Sequence, residues 1–140
     1  MDAANWRRQP PGDASLQGFA VLPYVDASSI ALRSPRFTLP KLPAGAAYDG
    51  YPVTVSFSRF QYTEPDFDYL LVEWSSNGKE WHKAGAFTGM NDSFPAFDHD
   101  TVTFTAPPGQ LHVRFRVTSD ELISAPVYAG VVIDNVTISR

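Results

Sequence analysis

The segment LHVRFRVTS, at 111–119, restricts the fold more than any other part of the chain. Its apolar residues fall on every second position, and histidine, arginine and threonine fill the positions between them. Successive side chains of an extended strand point to opposite faces, so this pattern gives one dry face and one wet face. Such a strand is typical of an antiparallel sheet that covers a core on one side. We therefore expect Val113, Phe115 and Val117 to be buried.

Other segments repeat this two-residue period between prolines and glycines. VTVSFS (53–58) and TVTFT (101–105) alternate apolar with hydroxyl-bearing side chains, which again predicts strands with one wet face. The dipeptide Asn77-Gly78 separates two further apolar segments. We expect a hairpin there with a type I′ turn. That turn requires positive φ angles at both central residues, and asparagine followed by glycine readily adopts them.

The last predicted strand, VVIDNVTIS, breaks the alternation. Ile133 has odd parity, whereas Val136 and Ile138 have even parity. A β-bulge inserts one extra residue into a strand and so shifts its phase by one position. A bulge at Asp134-Asn135 is therefore predicted, since it would put all three apolar side chains on one face.

About eight strands are predicted, separated by turn-forming residues at a spacing typical of a β-sandwich. We find no segment with the pattern of a long amphipathic helix. The predicted fold class is all-β, a two-sheet antiparallel β-sandwich of the jelly-roll type. The chain has 140 residues without an internal repeat or linker, so we expect a single domain over 1–140.

Composition and charge exclude several classes of function. The chain has no cysteine, which excludes disulfides, thiolate catalysis and zinc sites built on sulfur. It has 11 basic and 15 acidic residues and a formal net charge of -4, so no nucleic-acid partner is expected. No run of about 18 apolar residues occurs, so we expect no membrane insertion.

A series of short motifs runs in order along nearly the whole chain. They are Trp6, LRSP at 32–35, the aromatic strand at 57–62, DYLLVEWS at 68–75 with the Asn77-Gly78 turn and Trp81, VRFR at 113–116, Ser119-Asp120 and IDNV at 133–136. This order resembles the jelly-roll modules attached to secreted bacterial peptidases of the immune inhibitor A type, which are similar to MAM domains. Where those modules have a second aspartate in the final motif, this chain has Asn135.

The resemblance implies an accessory module that does no chemistry itself. Such a module packs on a neighbouring domain, or binds a glycan or protein surface, outside the cell or at its surface. The N-terminal segment, MDAANWRRQPPGD, contains no apolar stretch like that of a signal peptide, so the chain is either a domain of a longer exported protein or is not exported. In the second case we expect a structural subunit of a virion, surface layer or filament that self-assembles through exposed strand edges.

The stretch NDSFPAFDHD, at 91–100, concentrates residues that can do chemistry. Two aspartates flank His99, and in an extended segment these two share a face while the histidine points away. That geometry does not assemble a catalytic triad, so we expect a protein that is not an enzyme. The expected structure is a polar loop held down by Phe94 and Phe97, with a metal-binding loop as the alternative.

Calcium is the metal to consider, because hard cations take carboxylate and backbone oxygens as ligands. Jelly rolls of this general build often carry a structural calcium near the first and last strands. Asp134, at the phase break of the last strand, and Asp26, in the YVDASS turn, are the candidate ligands. The alternative is that Asp134 caps backbone amides at the bulge.

Aromatic residues are the best sequence indication of binding. Tyr48, Tyr51, Phe60 and Tyr62 lie in or near predicted loops, and Trp81 follows the predicted hairpin turn. Exposed rings at such positions stack on sugars or anchor a protein partner. The alternative is that the loop rings seal the end of the sandwich and that Trp81 packs inside.

Overall fold

The computed structural model describes residues 7–9, 20–22, 29–120 and 130–140, and these residues form ten strands and no helix. The strands are β1 Arg7–Gln9, β2 Ala20–Leu22, β3 Ser29–Arg33, β4 Phe37–Leu39, β5 Tyr51–Tyr62, β6 Tyr69–Ser75, β7 His82–Thr88, β8 Asp98–Ala106, β9 Gly109–Thr118 and β10 Gly130–Ser139. Within these ranges, no helix long and apolar enough to cross a membrane is found.

The strands form two antiparallel sheets, and the predicted all-β sandwich of the jelly-roll type is confirmed. One sheet has six strands in the order β1-β3-β9-β6-β7, with β4 also paired to β9. The other has four strands in the order β2-β10-β5-β8. The described strands exceed the predicted eight because β1 and β2 have three residues each, too few to show an alternation.

The dry faces of the two sheets pack against each other, as the alternation predicts. Val113, Phe115 and Val117 are all 0% exposed. Across the core, the ring of Phe115 in β9 meets that of Phe57 in β5 edge to face, with 4.9 Å between centroids. The other buried residues of this core are Leu32, Leu39, Val53, Val55, Leu70, Val72, Val102, Ala106, Leu111, Val131, Ile133 and Val136.

The predicted bulge in β10 is confirmed. The register of β10 against β5 shifts between Asp134 and Thr137, and Asn135 adopts a left-handed φ of 52°. As a result Ile133 and Val136, on opposite sides of the bulge, are both buried against the core.

The hairpin between β6 and β7 is confirmed, but the predicted type I′ turn is wrong. The connection covers residues 76–81. Gly78 has a φ of 75°, whereas Asn77 is not in the left-handed region that a type I′ turn requires. The Asn77 Oδ1 atom instead accepts hydrogen bonds from the Lys79 and Glu80 amides, at 2.8 Å each. A side chain that satisfies two loop amides supports a longer connection.

Candidate functional site

The loop that begins NDSFPAFDHD is organised around Asn91, which is 2% exposed. Its Oδ1 atom accepts a hydrogen bond from the backbone amide of Gln61 at 2.9 Å. Its Nδ2 atom donates to the carbonyl of Ala96 at 2.8 Å and to Asp98 Oδ2 at 2.7 Å. One buried amide side chain therefore ties both ends of the loop to strand β5.

Two of the three aspartates of this stretch, Asp98 and Asp100, are engaged in structural contacts. Asp98 accepts hydrogen bonds from the Ser93 hydroxyl at 2.6 Å and the Ser93 amide at 2.8 Å. These bonds, with that from Asn91, lower the pKa of Asp98 to about 2. Asp100 accepts a hydrogen bond from Arg59 Nε at 2.7 Å. The predicted polar loop is confirmed for residues 91–97, whereas Asp98, His99 and Asp100 already belong to β8 and pair with β5.

The charge of Asp98 is expected to give a measurable pH dependence. A lowered folded-state pKa means that the carboxylate contributes stability above its ordinary value of 3.8, and that this contribution is lost as the pH falls towards about 2. The Asp98→Asn variant should therefore melt below the parent protein at pH 6, and the difference should shrink steadily from pH 4 to pH 2. Thermal melts across this range measure it.

The exposed neighbour Asp92 provides the matched control. Asp92→Asn removes the same charge from the same loop and should leave both the melting temperature and its pH profile close to those of the parent. If Asp98→Asn showed the parent's pH profile, the hydrogen bonds to the carboxylate would not set its pKa.

Four rings form an aromatic patch, comprising Phe60, Tyr62, Phe94 and Phe97. Phe60 and Tyr62 lie on the wet face of β5, opposite the buried Phe57. Phe94 packs at 5.0 Å from Phe60 and 5.2 Å from Tyr62, and Phe97 packs at 5.8 Å from Phe60. The prediction that Phe94 and Phe97 hold the loop down is confirmed. Phe97 nevertheless remains 47% exposed, so the patch presents a ring to solvent.

Beside the aromatic patch, the wet face of the four-stranded sheet carries rows of hydroxyl groups. We call this surface the hydroxyl face. The strand registers align Thr137, Ser56 and Thr101 in one row and Ser139, Thr54 and Thr103 in the next. Within the first row, Ser56 Oγ and Thr101 Oγ1 are 3.2 Å apart. Of these six residues, four are exposed, namely Thr101, Thr103, Thr137 and Ser139.

Tyr48 and Tyr51 lie at the opposite end of β5. Tyr48 is 52% exposed. Both rings line a cavity of about 490 Å³ together with Pro52 and Thr105. The guanidinium of Arg140 lies 5.1 Å from the centre of the Tyr51 ring. This end of the sandwich has its own aromatic surface, separate from the aromatic patch.

Trp81 lies on the outer face of the six-stranded sheet, and the alternative that it packs inside is wrong. The guanidinium of Arg114 lies 4.0 Å from the centre of its ring and that of Arg33 lies 5.2 Å away. Guanidinium groups favour the face of an aromatic ring. The five predicted binding aromatics therefore occupy three places, and Phe60 and Tyr62 share theirs with the rings of Phe94 and Phe97.

Sequence reasoning missed the ion-pair cluster beside Trp81. Glu73 is 6% exposed. Its Oε1 atom accepts hydrogen bonds from Arg114 Nε at 2.9 Å and Arg116 Nε at 2.7 Å, and its Oε2 atom accepts from Arg116 at 3.1 Å. Burial alone would raise the pKa of Glu73, but the hydrogen bonds and charges of Arg116 and Arg114 outweigh it and hold the pKa below its ordinary value.

The same face fixes the protonation of His112. An Arg33 Nη2 atom lies 2.8 Å from His112 Nδ1. Because a guanidinium only donates, Nδ1 is the acceptor, and the proton resides on Nε2, which donates to Gln110 Oε1 at 3.2 Å. Burial, followed by the charges of Arg33 and Arg36, lowers the pKa of His112, which favours this neutral form.

Asp134 makes the contact expected of a bulge cap. Its Oδ1 atom accepts a hydrogen bond from the Asn135 amide at 2.7 Å. Its predicted companion, Asp26, lies outside the described residues. Calcium binding by this pair therefore stays a prediction.

A different acidic group was not apparent in the sequence because its members are far apart along the chain. Glu64, Asp68 and Asp120 each place a carboxylate oxygen within 4.8 Å of the others. Asp68 is fully buried, and its Oδ1 atom accepts a hydrogen bond from the Asp120 amide at 2.9 Å. Together these contacts connect the turn before β6 with the segment after β9.

No protein-family model matches the chain. A search of curated proteins likewise finds no match. A solved structure titled "CBM4 structure and function" is similar over 99% of this chain and 88% of its own, with 18% identity and a TM-score of 0.48. This likeness is too distant to bear on function, and the predicted kinship with MAM-like modules stays a prediction.

Proposed function

We propose that this protein is a non-catalytic binding module that holds a glycan on the aromatic patch and the adjoining hydroxyl face. The observation that carries the proposal is the construction of the loop at 91–98. The side chains of Asn91 and Asp98 are hydrogen-bonded within the fold, while Phe97 stays 47% exposed. These hydrogen bonds order the loop, and the ordered loop holds an apolar ring at the surface.

The contacts of the aspartates support a role without catalysis. A general base works best with a pKa near the working pH. The pKa of Asp98 is about 2, far below that range. Asp100 is paired with Arg59, whose side chain also donates to Gln61 at 2.8 Å within a buried polar network. Both carboxylates therefore serve the fold.

The exposed rings support binding. Keeping apolar surface in water costs free energy, and contiguous exposed apolar surface typically marks an interaction site. Phe60, Phe94 and Phe97 hold one another at centroid distances of 5.0 and 5.8 Å, in tilted rather than parallel arrangement. The rings are thus positioned before any ligand arrives, which reduces the entropy lost on binding.

The hydroxyl face favours a glycan as the ligand. A sugar ring offers an apolar C–H surface that packs on aromatic rings and hydroxyl groups that exchange hydrogen bonds with serine and threonine. The aromatic patch and the hydroxyl face lie side by side on the four-stranded sheet, and the strand register sets the rows of hydroxyl groups. We place the module in an exported protein, at the cell surface or outside the cell, beside a neighbouring domain.

A structural subunit is the second candidate. The observation that favours it is the length of β8, which lies at one edge of the four-stranded sheet and extends over nine residues. An edge strand of that length can pair with another chain. Sedimentation velocity at high protein concentration tests this candidate, because a subunit of this kind associates and an isolated binding module stays monomeric.

Binding of neutral glycans is expected to depend on Phe97. Affinity electrophoresis against amylose, β-glucan and xylan identifies the retained polysaccharide. Phe97→Ala should weaken that retention by about tenfold, which corresponds to loss of one stacking contact. Because the ring is half-exposed, its removal should change the melting temperature little.

Tyr48→Ala is the matched control, since Tyr48 is 52% exposed and lies at the other end of β5. It should retain the parent's affinity. Equal retention of the parent and the Phe97 variant, or loss of retention in the Tyr48 variant alone, would contradict the proposed site.

A further inference from the structure

A row of charged residues crosses the six-stranded sheet, and basic residues dominate it. The strand registers place Arg33 opposite Arg114, Arg114 opposite Glu73 and Glu73 opposite Lys83. We call these four residues the basic row. It spans four strands, or about 14 Å at a spacing of about 4.8 Å between neighbouring strands.

The basic row is unfavourable by itself. Like charges directly opposite each other on neighbouring strands destabilise a sheet, and Arg33 faces Arg114 in this way. Both oxygens of Glu73 are already engaged by Arg114 and Arg116. The chain as a whole carries a net charge of -4, so this excess of positive charge is a local arrangement and not a reflection of composition.

Arg33 is the member of the basic row that can best receive an anion. Among the described residues, the ion pairs of this face end on Glu73 and involve Arg114 and Arg116. The guanidinium of Arg33 instead donates to the neutral His112 and lies by the Trp81 ring. Burial, followed by the charge of Arg114, lowers the pKa of Arg33, as expected for a cation without a compensating carboxylate.

We propose that the basic row, together with Trp81, binds an acidic polysaccharide whose carboxylate or sulfate groups lie between Arg33 and Lys83. Guanidinium groups bind such planar or tetrahedral anions through paired hydrogen bonds. Trp81 supplies a part-exposed ring beside them. This surface belongs to the sheet opposite the aromatic patch, so the inference does not depend on the proposed function.

The spacing of the cations favours a polysaccharide over a nucleic acid. Duplex DNA carries one phosphate charge per about 1.7 Å, and tight binding of it typically takes 6–10 phosphate contacts. The basic row offers three cations and one carboxylate along its whole length. A polymer with one acidic group per sugar carries a far lower charge density, which this row can match.

The test is affinity electrophoresis and titration calorimetry of the folded protein with polygalacturonate, dextran sulfate and uncharged dextran. Retention is expected on one or both polyanions, not on dextran, and it should decline as sodium chloride is raised from 20 to 300 mM, concentrations chosen to shorten the screening length. Retention on one polyanion only identifies the acidic group. Arg33→Gln and Lys83→Gln should each weaken binding by about tenfold.

Lys41→Gln is the matched control, because it removes one exposed positive charge in the loop before β5, away from the basic row. It should leave the affinity within about twofold of the parent. Failure of both polyanions to bind, equal loss in the Lys41 and Arg33 variants, or tighter binding of single-stranded DNA than of either polyanion would overturn the inference. The neutral-polysaccharide assay uses other variants and other probes, so each proposal fails separately.

Discussion

Replacing Phe115 by alanine is expected to lower the free energy of unfolding by about 3–5 kcal/mol. The ring is 0% exposed and lies at the centre of the contact between the two sheets. Its partner Phe57 comes from the other sheet, with ring centroids 4.9 Å apart. Alanine would leave a cavity between two rigid sheets, and neither sheet can move in to fill it without breaking its strand pairings. Denaturant unfolding followed by fluorescence measures the loss.

Phe67→Ala provides the control, because that ring is 59% exposed and its removal leaves no cavity. Its expected effect is within about 0.5 kcal/mol. A loss below about 1 kcal/mol for Phe115→Ala would mean that this side chain is not packed between the sheets. The assignment of a dry and a wet face to β9, on which the sandwich depends, would then be incorrect.

The fold was predictable because alternation is a local property of the chain. Val113 and Val117 identify the dry face of β9 without any knowledge of its neighbours. The bulge was also predictable, since Ile133 and Val136 can both be buried only if the phase shifts between them. The conformation of the hairpin loop was not predictable, because the Asn77 side chain accepts hydrogen bonds from the loop amides. The dipeptide Asn77-Gly78 alone does not show that this side chain would favour a longer loop over a type I′ turn.

The candidate sites were predictable only in part, because they depend on which distant strands are neighbours. Phe60 and Tyr62 were identified as binding aromatics, but the sequence does not show that a loop more than 30 residues away packs its own rings on them. Glu73 shows the same limit. Its position next to Arg114 follows from the pairing of β6 with β9, and alternation within each strand does not reveal that pairing.

Replacing Glu73 by glutamine is expected to lower the free energy of unfolding by about 2–3 kcal/mol, somewhat less than the cost of breaking a fully buried ion pair. The Glu73 side chain is 7% exposed, whereas the Arg114 and Arg116 side chains are 17% and 25% exposed and keep some contact with water. Glutamine preserves the shape of the side chain but removes the charge that compensates both guanidiniums. Denaturant unfolding at neutral pH measures the change.

The loss of stability in the Glu73→Gln variant should depend on pH in a defined direction. Because the folded-state pKa of Glu73 lies below its ordinary value of 4.5, the stabilisation is complete above that value and is lost as the pH falls through the lowered pKa. The parent and Glu73→Gln should therefore converge in acid. Glu80→Gln, in the exposed hairpin loop, is the control and should follow the parent at every pH.

The Glu73→Gln variant also allows anion binding by the basic row to be measured through protein stability. Without this carboxylate the row carries only positive charges, so an added anion that binds the folded state should stabilise the variant more than the parent. Sodium sulfate and dextran sulfate are the probes, and sodium chloride at matched ionic strength separates binding from general screening. Equal shifts of melting temperature in the parent and the variant would show that Glu73 does not control the charge that this face offers to an anion.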